Sequence, residues 1–291
     1  MRILAAAFAL ASFLLLAAAG TASADLGTYI GEWSTGKGTW AVTLGPDGSV
    51  YASSYRGLLK YSTSGVLQAT IGDSVLQTPY GVAFDAQGNI YVADIASTVH
   101  VFSPAGLYLR SWATGGDFAT YLAIDAQQRV LVTDIYGSTV RLFTTAGVSL
   151  GSWLIGSGPT GIAIDDLRGV FYLSLAAGNR IVKYSLDGYY MAEFGALQTP
   201  FQLALTPDGG VIFAEEEGYR VSAWTSAGTF VGSLGSHGTG QGQFGDYPLG
   251  IACSADGVVY VAERSGRIQK FAAGATPSVR SSWSELKLRY R

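Results

Sequence analysis

From about residue 39 to residue 271 the chain is written in short alternating apolar runs separated by turn signals, a strand period rather than a helical one. Tight-turn anchors stand at Gly48, Gly88, Gln128, Arg168, Gly209 and Gly257, spaced by 40, 40, 40, 41 and 48 residues. Each lies between two runs, as Gly81 to Phe84 before and Ile90 to Ala93 after, which predicts a β-hairpin. A third run ends in an aromatic residue at Tyr61, Phe102, Phe143, Tyr184, Trp224 and Phe271. A second turn follows at Gly65, Gly106, Gly147, Gly188, Gly228 and Gly274, and a fourth run carries Ile71, Trp112, Trp153, Phe194 or Leu234.

Four short strands in about 40 residues, repeated six times, predict an all-β chain folded as a six-bladed β-propeller of four-stranded antiparallel blades. The last repeat lacks its fourth run. A match for it lies at the other end: Thr28 to Gly36 resembles Tyr108 to Gly115 in the placing of Trp33 and Trp112 and in the glycine that follows. The N-terminal segment is therefore expected to become the outer strand of blade six, closing the ring and covering a sheet edge. The expected domain lies over residues 25–274.

The stretch from Pro79 through Asp85 to Asp94 resembles the core of an NHL repeat, and Gly240 to Phe244 resembles that family's glycine-rich loop. The resemblance covers nearly all of residues 27–274 and is strongest at 79–118 and 245–274. It implies a six-bladed propeller of the NHL and TolB-like kind, and because the motif is structural its match says little about activity. Related propellers include calcium-dependent hydrolases of the lactonase kind and a zinc-dependent lyase, so the resemblance also sets out which enzyme chemistries the residues must be tested against.

Composition agrees with a folded, turn-rich chain: 48% of residues are hydrophobic, 13% are charged and 39 are glycine. Met1-Arg2, the apolar run Ile3 to Ala19 and the small residues ending Ala22-Ser23-Ala24 read as a secretory signal over residues 1–24. Its removal takes away Arg2 and no acid, so the mature chain is more acidic than the −3 of the whole sequence. A secreted or periplasmic domain of that charge, with no membrane span left after cleavage, is not expected to grip nucleic acid. A monomer is expected, with an unknown protein, peptide or glycan as partner. Residues 275–291 form a basic tail in which Ser282 to Glu285 is a capping box, and Trp283, Leu286 and Tyr290 share one helical face.

The candidate chemistry is sparse. Asp85, Asp125 and Asp165 recur after the innermost strands, and Asp94 and Asp134 at the ends of the second strands, placed as turn-stabilising acids are. In the later repeats Ser174, Glu215 and Glu263 take the second position, with Arg180, Arg220 and Arg267 following as ion-pair partners; Glu215-Glu216-Glu217 exceeds that need and suggests a cation-attracting patch. A calcium site of the hydrolase kind needs several oxygen ligands where the innermost strands meet the axis. The two rings expected there are Trp40, Tyr80, Thr120, Thr160, Phe201 and Leu249, then Ala41, Gly81, Tyr121, Gly161, Gln202 and Gly250, in which only Gln202 offers a carbonyl. No metal, cofactor or catalytic residue is therefore expected. His100 and His237 are too few and too far apart for the lyase's histidines or for a nucleophilic triad, and Cys253 reads as a small buried hydrophobe. Gly238 to Gly242 precedes a strand rather than a helix, which removes the phosphate-loop reading. The expected function is a non-enzymatic binding or scaffold module, with the calcium-dependent hydrolase as alternative. Its expected ligand face is the channel mouth formed by Trp40, Tyr80, Tyr121 and Phe201 with Tyr55 and Tyr136.

Overall fold

A computed structural model describes residues 27–273 except residues 37 and 56. The expected signal over 1–24 and the expected tail over 275–291 lie outside the described residues. Within them, 24 strands pair into six four-stranded antiparallel sheets, the predicted propeller. Five sheets use consecutive strands. The sixth takes Pro248–Cys253, Val259–Glu263 and Arg267–Ala273 and adds Gly27–Ser34 on its outer edge.

That N-terminal strand runs antiparallel to Arg267–Ala273, with Tyr29 opposite Phe271 and Trp33 opposite Ile268. Its side chains alternate between half-buried and exposed, as expected of an outer strand with one covered face. The half-buried set does the closing: Tyr29 meets Phe271 edge-on at 6.2 Å, and Trp33 packs on Tyr260 of its own blade at 6.2 Å and on Tyr61 of blade one at 5.8 Å.

The first turn of each blade places one residue in the left-handed region. These residues are Gly48, Gly88, Gln128, Gly209 and Gly257, as the repeat predicts, but Gly169 in blade four rather than Arg168. A β-carbon is costly in that region, so the glycine takes the position and Arg168 turns back to pair with Asp165 at 2.7 Å.

In every blade the pairing of the innermost with the second strand slips after its first pair, as from Thr39 opposite Ser54 to Val42 opposite Ala52. A bulge frees backbone groups beside the axis, and hydroxyls from the second strands take them up. Ser53 Oγ accepts from Ala41 N at 2.9 Å; Thr133 Oγ1 accepts from Tyr121 N at 2.9 Å and donates to the Thr160 carbonyl of the next blade at 2.8 Å. Ser174 does the same work, donating to the Phe201 carbonyl. This corrects its sequence alignment with the acids. The residue opposite Pro159, as Asp94 is opposite Pro79, is Leu175, so blade four has no acid there.

The other acids act as expected on backbone. Asp94 accepts from Gln77 N and Thr78 N, Asp134 from Asp117 N and Phe118 N, and Glu263 from Gly245 N and Asp246 N. Each thereby pins the loop that enters its own blade. Glu215 pairs with Arg220 and Glu263 with Arg267 as predicted, whereas Arg180, lacking an acid in its blade's pinning position, pairs with the exposed Glu193 of the outer strand at 3.1 Å.

Neighbouring innermost strands approach closely at the glycines of the second axial ring. A β-carbon on Gly161 would stand 2.5 Å from the Phe201 carbonyl oxygen and 2.9 Å from Gln202 Cα. Backbone cannot swing aside as a flexible side chain can, so Gly161→Ala is expected to lower stability by about 1–3 kcal/mol. Chemical denaturation of the variant beside the parent measures it, and an unchanged midpoint would mean that the blades part freely at this ring.

Candidate functional site

The loops entering the innermost strands and those joining second to third strands share one face of the ring. On it, five rings form a continuous arch across blades one to three. Tyr55 stands edge-on to Trp40 at 5.7 Å, Trp40 stacks on Tyr80 at 5.1 Å, Tyr80 meets Phe118 at 5.5 Å, and Phe118 meets Tyr136 at 5.1 Å. The ends of the arch reach solvent, with Tyr55 56% and Tyr136 73% exposed, while Tyr80 at its centre is 9% exposed. Burial, then the neighbouring Tyr55 and Tyr136, pushes the Tyr80 phenol up to about 12, so it stays a neutral donor at any physiological pH.

Phe118 was not among the expected residues. The register shows what signals it. It immediately precedes Ala119, the first residue of its innermost strand, and the column it belongs to (Gly38, Thr78, Phe118, Gly158, Thr199, Tyr247) is aromatic only in blades three and six.

Tyr121 and Phe201 sit apart from the arch, with rings 6.0 Å from each other. Tyr121 is 2% exposed and its hydroxyl crosses the axis to donate to the Trp40 carbonyl at 2.7 Å. Burial, with smaller contributions from Tyr80 and Glu216, holds its phenol well above the usual value. Gln202, in the same ring, accepts from Val42 N at 3.2 Å and Ile251 N at 3.0 Å and donates to the Val42 carbonyl at 3.0 Å. In a ring whose other members are alanine or glycine, these two long side chains plug the axis. The expected group of six thus divides into an arch of Trp40, Tyr80, Tyr55 and Tyr136, joined by Phe118, and a floor of Tyr121 and Phe201.

Below the plug the axis widens into a funnel of about 520 Å³ that reaches Gly45 and Pro46 in the first turn of blade one, on the side away from the arch. Leu44, Phe84, Ile124, Ile164 and Leu205 contribute to its apolar wall. Asp85 also borders it, but that carboxylate is taken up by Gln87 N, Asn89 N and the Tyr91 hydroxyl.

A second aromatic group lies on the arch side at blades five and six. Tyr219 packs between His237 at 4.4 Å and Tyr247 at 5.4 Å, and the Arg264 guanidinium stands over the Tyr247 ring at 4.5 Å. The acidic run divides here. Glu215 is buried in its ion pair, whereas burial, reinforced by Glu217 and Asp246 and opposed by Arg264, raises the half-buried Glu216 carboxyl above its usual range. His100 lies away in blade two, its imidazole held below the usual value by burial with the Asp94 charge opposing. Burial pushes the Cys253 thiol up to about 11, which leaves it protonated at neutral pH. Among the described residues no group of three or more His, Cys, Asp or Glu side chains is placed to hold a metal ion.

No family model matches the sequence, and no curated protein matches it. Solved structures do resemble it in fold. A streptogramin B lyase superposes with a TM-score of 0.66 at 14% identity, over 84% of this chain and 98% of that one. Virginiamycin B lyase from Staphylococcus aureus, solved as a catalytically inactive variant with quinupristin and as the selenomethionine-substituted protein, gives a TM-score of 0.62 at 16% identity over 80% of each chain. At these identities the likeness is one of architecture.

Proposed function

We propose that the protein is an exported, non-enzymatic binding module, an NHL-type propeller of the TolB-like class that holds a glycan or peptide of a protein partner against the aromatic arch. The observation that carries this reading is the arch itself, whose five rings run unbroken over three blades on one face. Aromatic faces offer apolar area to sugar rings and planar side chains, and Tyr and Trp lose little conformational freedom on binding. Here neighbouring rings hold one another, so the platform is organised before a ligand arrives. The rigid ring beneath supplies what a scaffold needs.

Against the calcium-dependent hydrolase stands the bonding of Gln202. The single carbonyl expected to face a cation at the axis is spent on two backbone N–H groups, and Tyr121 occupies the space beside it.

The test is a glycan and peptide array on the purified protein, followed by Trp40→Ala and Tyr80→Ala compared with the parent at matched stability. Each is expected to lose about 1 kcal/mol or more of affinity for whatever the array captures, as anchors at a binding centre do. Variants that bind like the parent would move the site off this face. A stoichiometric, chelator-removable cation in the purified protein would overturn the non-enzymatic reading.

A further inference from the structure

Six blades built on one repeat allow each inter-blade interface to be compared with the other five. In three blades the face turned to the next blade carries a tyrosine on the second strand with a lysine opposite it on the third. The pairs are Tyr51 with Lys60, Tyr172 with Lys183 and Tyr260 with Lys270. In each, the ammonium lies over the phenol ring, at 5.5, 5.5 and 5.7 Å from its centre. Blade two has Tyr91 with Val101, and blade three has Leu131 with Leu142, where Phe171 of the following blade fills the gap.

Blade five has neither ring nor ammonium. Its pair is Ile212 with Ala223, and Gly232 stands opposite Ala223 on the outer strand. The following blade does not compensate. Where Phe171 stands in blade four, blade six has Val259, and the residue opposite it is Cys253, in a position held elsewhere by Leu44, Phe84, Ile124, Ile164 and Leu205. The reduced side chains at Ile212, Ala223 and Cys253 fall on one interface, where Val259 is the usual residue of its column, and a cavity of about 420 Å³ lies there, lined by these four and Leu234 among others. Its size is within the ~300–1,000 Å³ of small-molecule sites.

In blade one a carboxylate accompanies the lysine, and blade five keeps its counterpart without the lysine. Asp47 immediately precedes the left-handed Gly48 and binds Lys60 at 2.6 Å; Asp208 immediately precedes the left-handed Gly209, but the residue in the place of Lys60 is Ala223. Asp208 is exposed on the cavity lining together with Asp256. The Asp208 side chain is bonded to Thr206 Oγ1 and, at 3.4 Å, to Gly210 N, and Asp256 to Ser254 Oγ at 2.5 Å. Arg168 reaches only the backbone carbonyl of Asp208, its guanidinium being paired with Asp165. The Lys270 charge acts on Asp256, but its ammonium donates to the Thr63 carbonyl at 3.3 Å. What blade five lacks is an aromatic ring with an ammonium over it, and what it retains is the hole and the carboxylate.

We propose that the cavity between blades five and six is a binding site for a small aromatic primary amine of the arylethylamine class. The ring lies against Ile212, Ala223 and Val259, and the ammonium meets Asp208 and Asp256 at the mouth. This site is separate from the aromatic arch and stands independently of it.

Cys253 is the chain's only cysteine and lines the cavity; its thiol is protonated at neutral pH, so alkylation is slow, and the fraction alkylated over hours by excess N-ethylmaleimide at mildly alkaline pH, followed by the mass of the intact protein, reports occupancy. Tyramine is expected to slow the reaction in proportion to its binding. 4-Ethylphenol, the same ring without the ammonium, should need a higher concentration for the same protection. Asp208→Asn with Asp256→Asn should weaken tyramine about three- to tenfold, the range of one or two exposed ion pairs. Ile212→Tyr with Ala223→Lys rebuilds the missing occupant from the protein's own repeat. It should raise the melting temperature and abolish tyramine binding in a calorimeter, with Val259→Phe as a second filling variant should the first fail to fold. The proposal is overturned by alkylation that tyramine leaves unchanged, by equal protection from the phenol, or by a filled variant that still binds the amine.

Discussion

A chain lacking residues 25–35 is expected to lose its closed ring. In the intact protein Gly27–Ser34 completes blade six by pairing along Arg267–Ala273, and no other strand covers that edge among the described residues. The deletion removes Tyr29 from Phe271 and takes Trp33 from between Tyr260 of blade six and Tyr61 of blade one, so the loss reaches across the join between the last blade and the first. Truncating a single large aromatic core residue costs about 3–5 kcal/mol, and here two half-buried ones go together with the backbone ladder. That is a large share of the roughly 5–15 kcal/mol by which domains are stable. The expected result in scanning calorimetry is a large fall in melting temperature, and in size-exclusion chromatography a shift to aggregates as the bared strand edge pairs between molecules. A truncated protein that melts and elutes like the parent would show that the ring does not depend on this strand.

The closure was legible because it is written in the repeat. Trp33 falls where Trp112 falls, and a strand missing from one end of the chain appears at the other. The same regularity made the two axial rings legible, since a period-two element with a fixed turn assigns every position. What it could not assign was a side chain's partner. Gln202 reads as a free axial carbonyl until the bulges bring Val42 N and Ile251 N beside it. Ser174 reads as an acid's replacement until the register moves it to the hydroxyl position of Ser53 and Thr133. Tyr121 reads as a mouth residue, yet its hydroxyl spans the axis to Trp40. The blade-five cavity is the opposite case. Ile212, Ala223, Cys253 and Val259 are each unremarkable alone, and they make a cavity only when four columns of the repeat are read together across an interface.

Glu215→Ala is expected to unpin the loop that enters blade five. This carboxylate is fully buried and serves four donors. Arg220 binds it through Nε and Nη2, each at 2.9 Å, Ser222 Oγ donates to it, and Gln198 N of the entering loop reaches it at 2.8 Å. The Arg220 guanidinium is correspondingly raised, chiefly by its hydrogen bond to Glu215. Alanine leaves an uncompensated cation, a hydroxyl and an amide with no acceptor. Breaking one partner out of a buried pair costs about 3–5 kcal/mol, and because the Arg220 side chain is 35% exposed and can turn to water, the lower end of that range is expected. Glu193→Ala provides the control, since it removes an acid from the exposed pair with Arg180, whose expected worth is about 0–1 kcal/mol. Urea denaturation of the two variants beside the parent distinguishes them, and equal losses would mean that the buried pair of Glu215 contributes no more than the exposed pair of Glu193. Glu215→Gln separates charge from hydrogen bonding. It keeps an acceptor for Gln198 N and Arg220 but removes the negative charge, so a loss close to that of alanine would assign the pinning to the ion pair, and a small one to the hydrogen bonds around it.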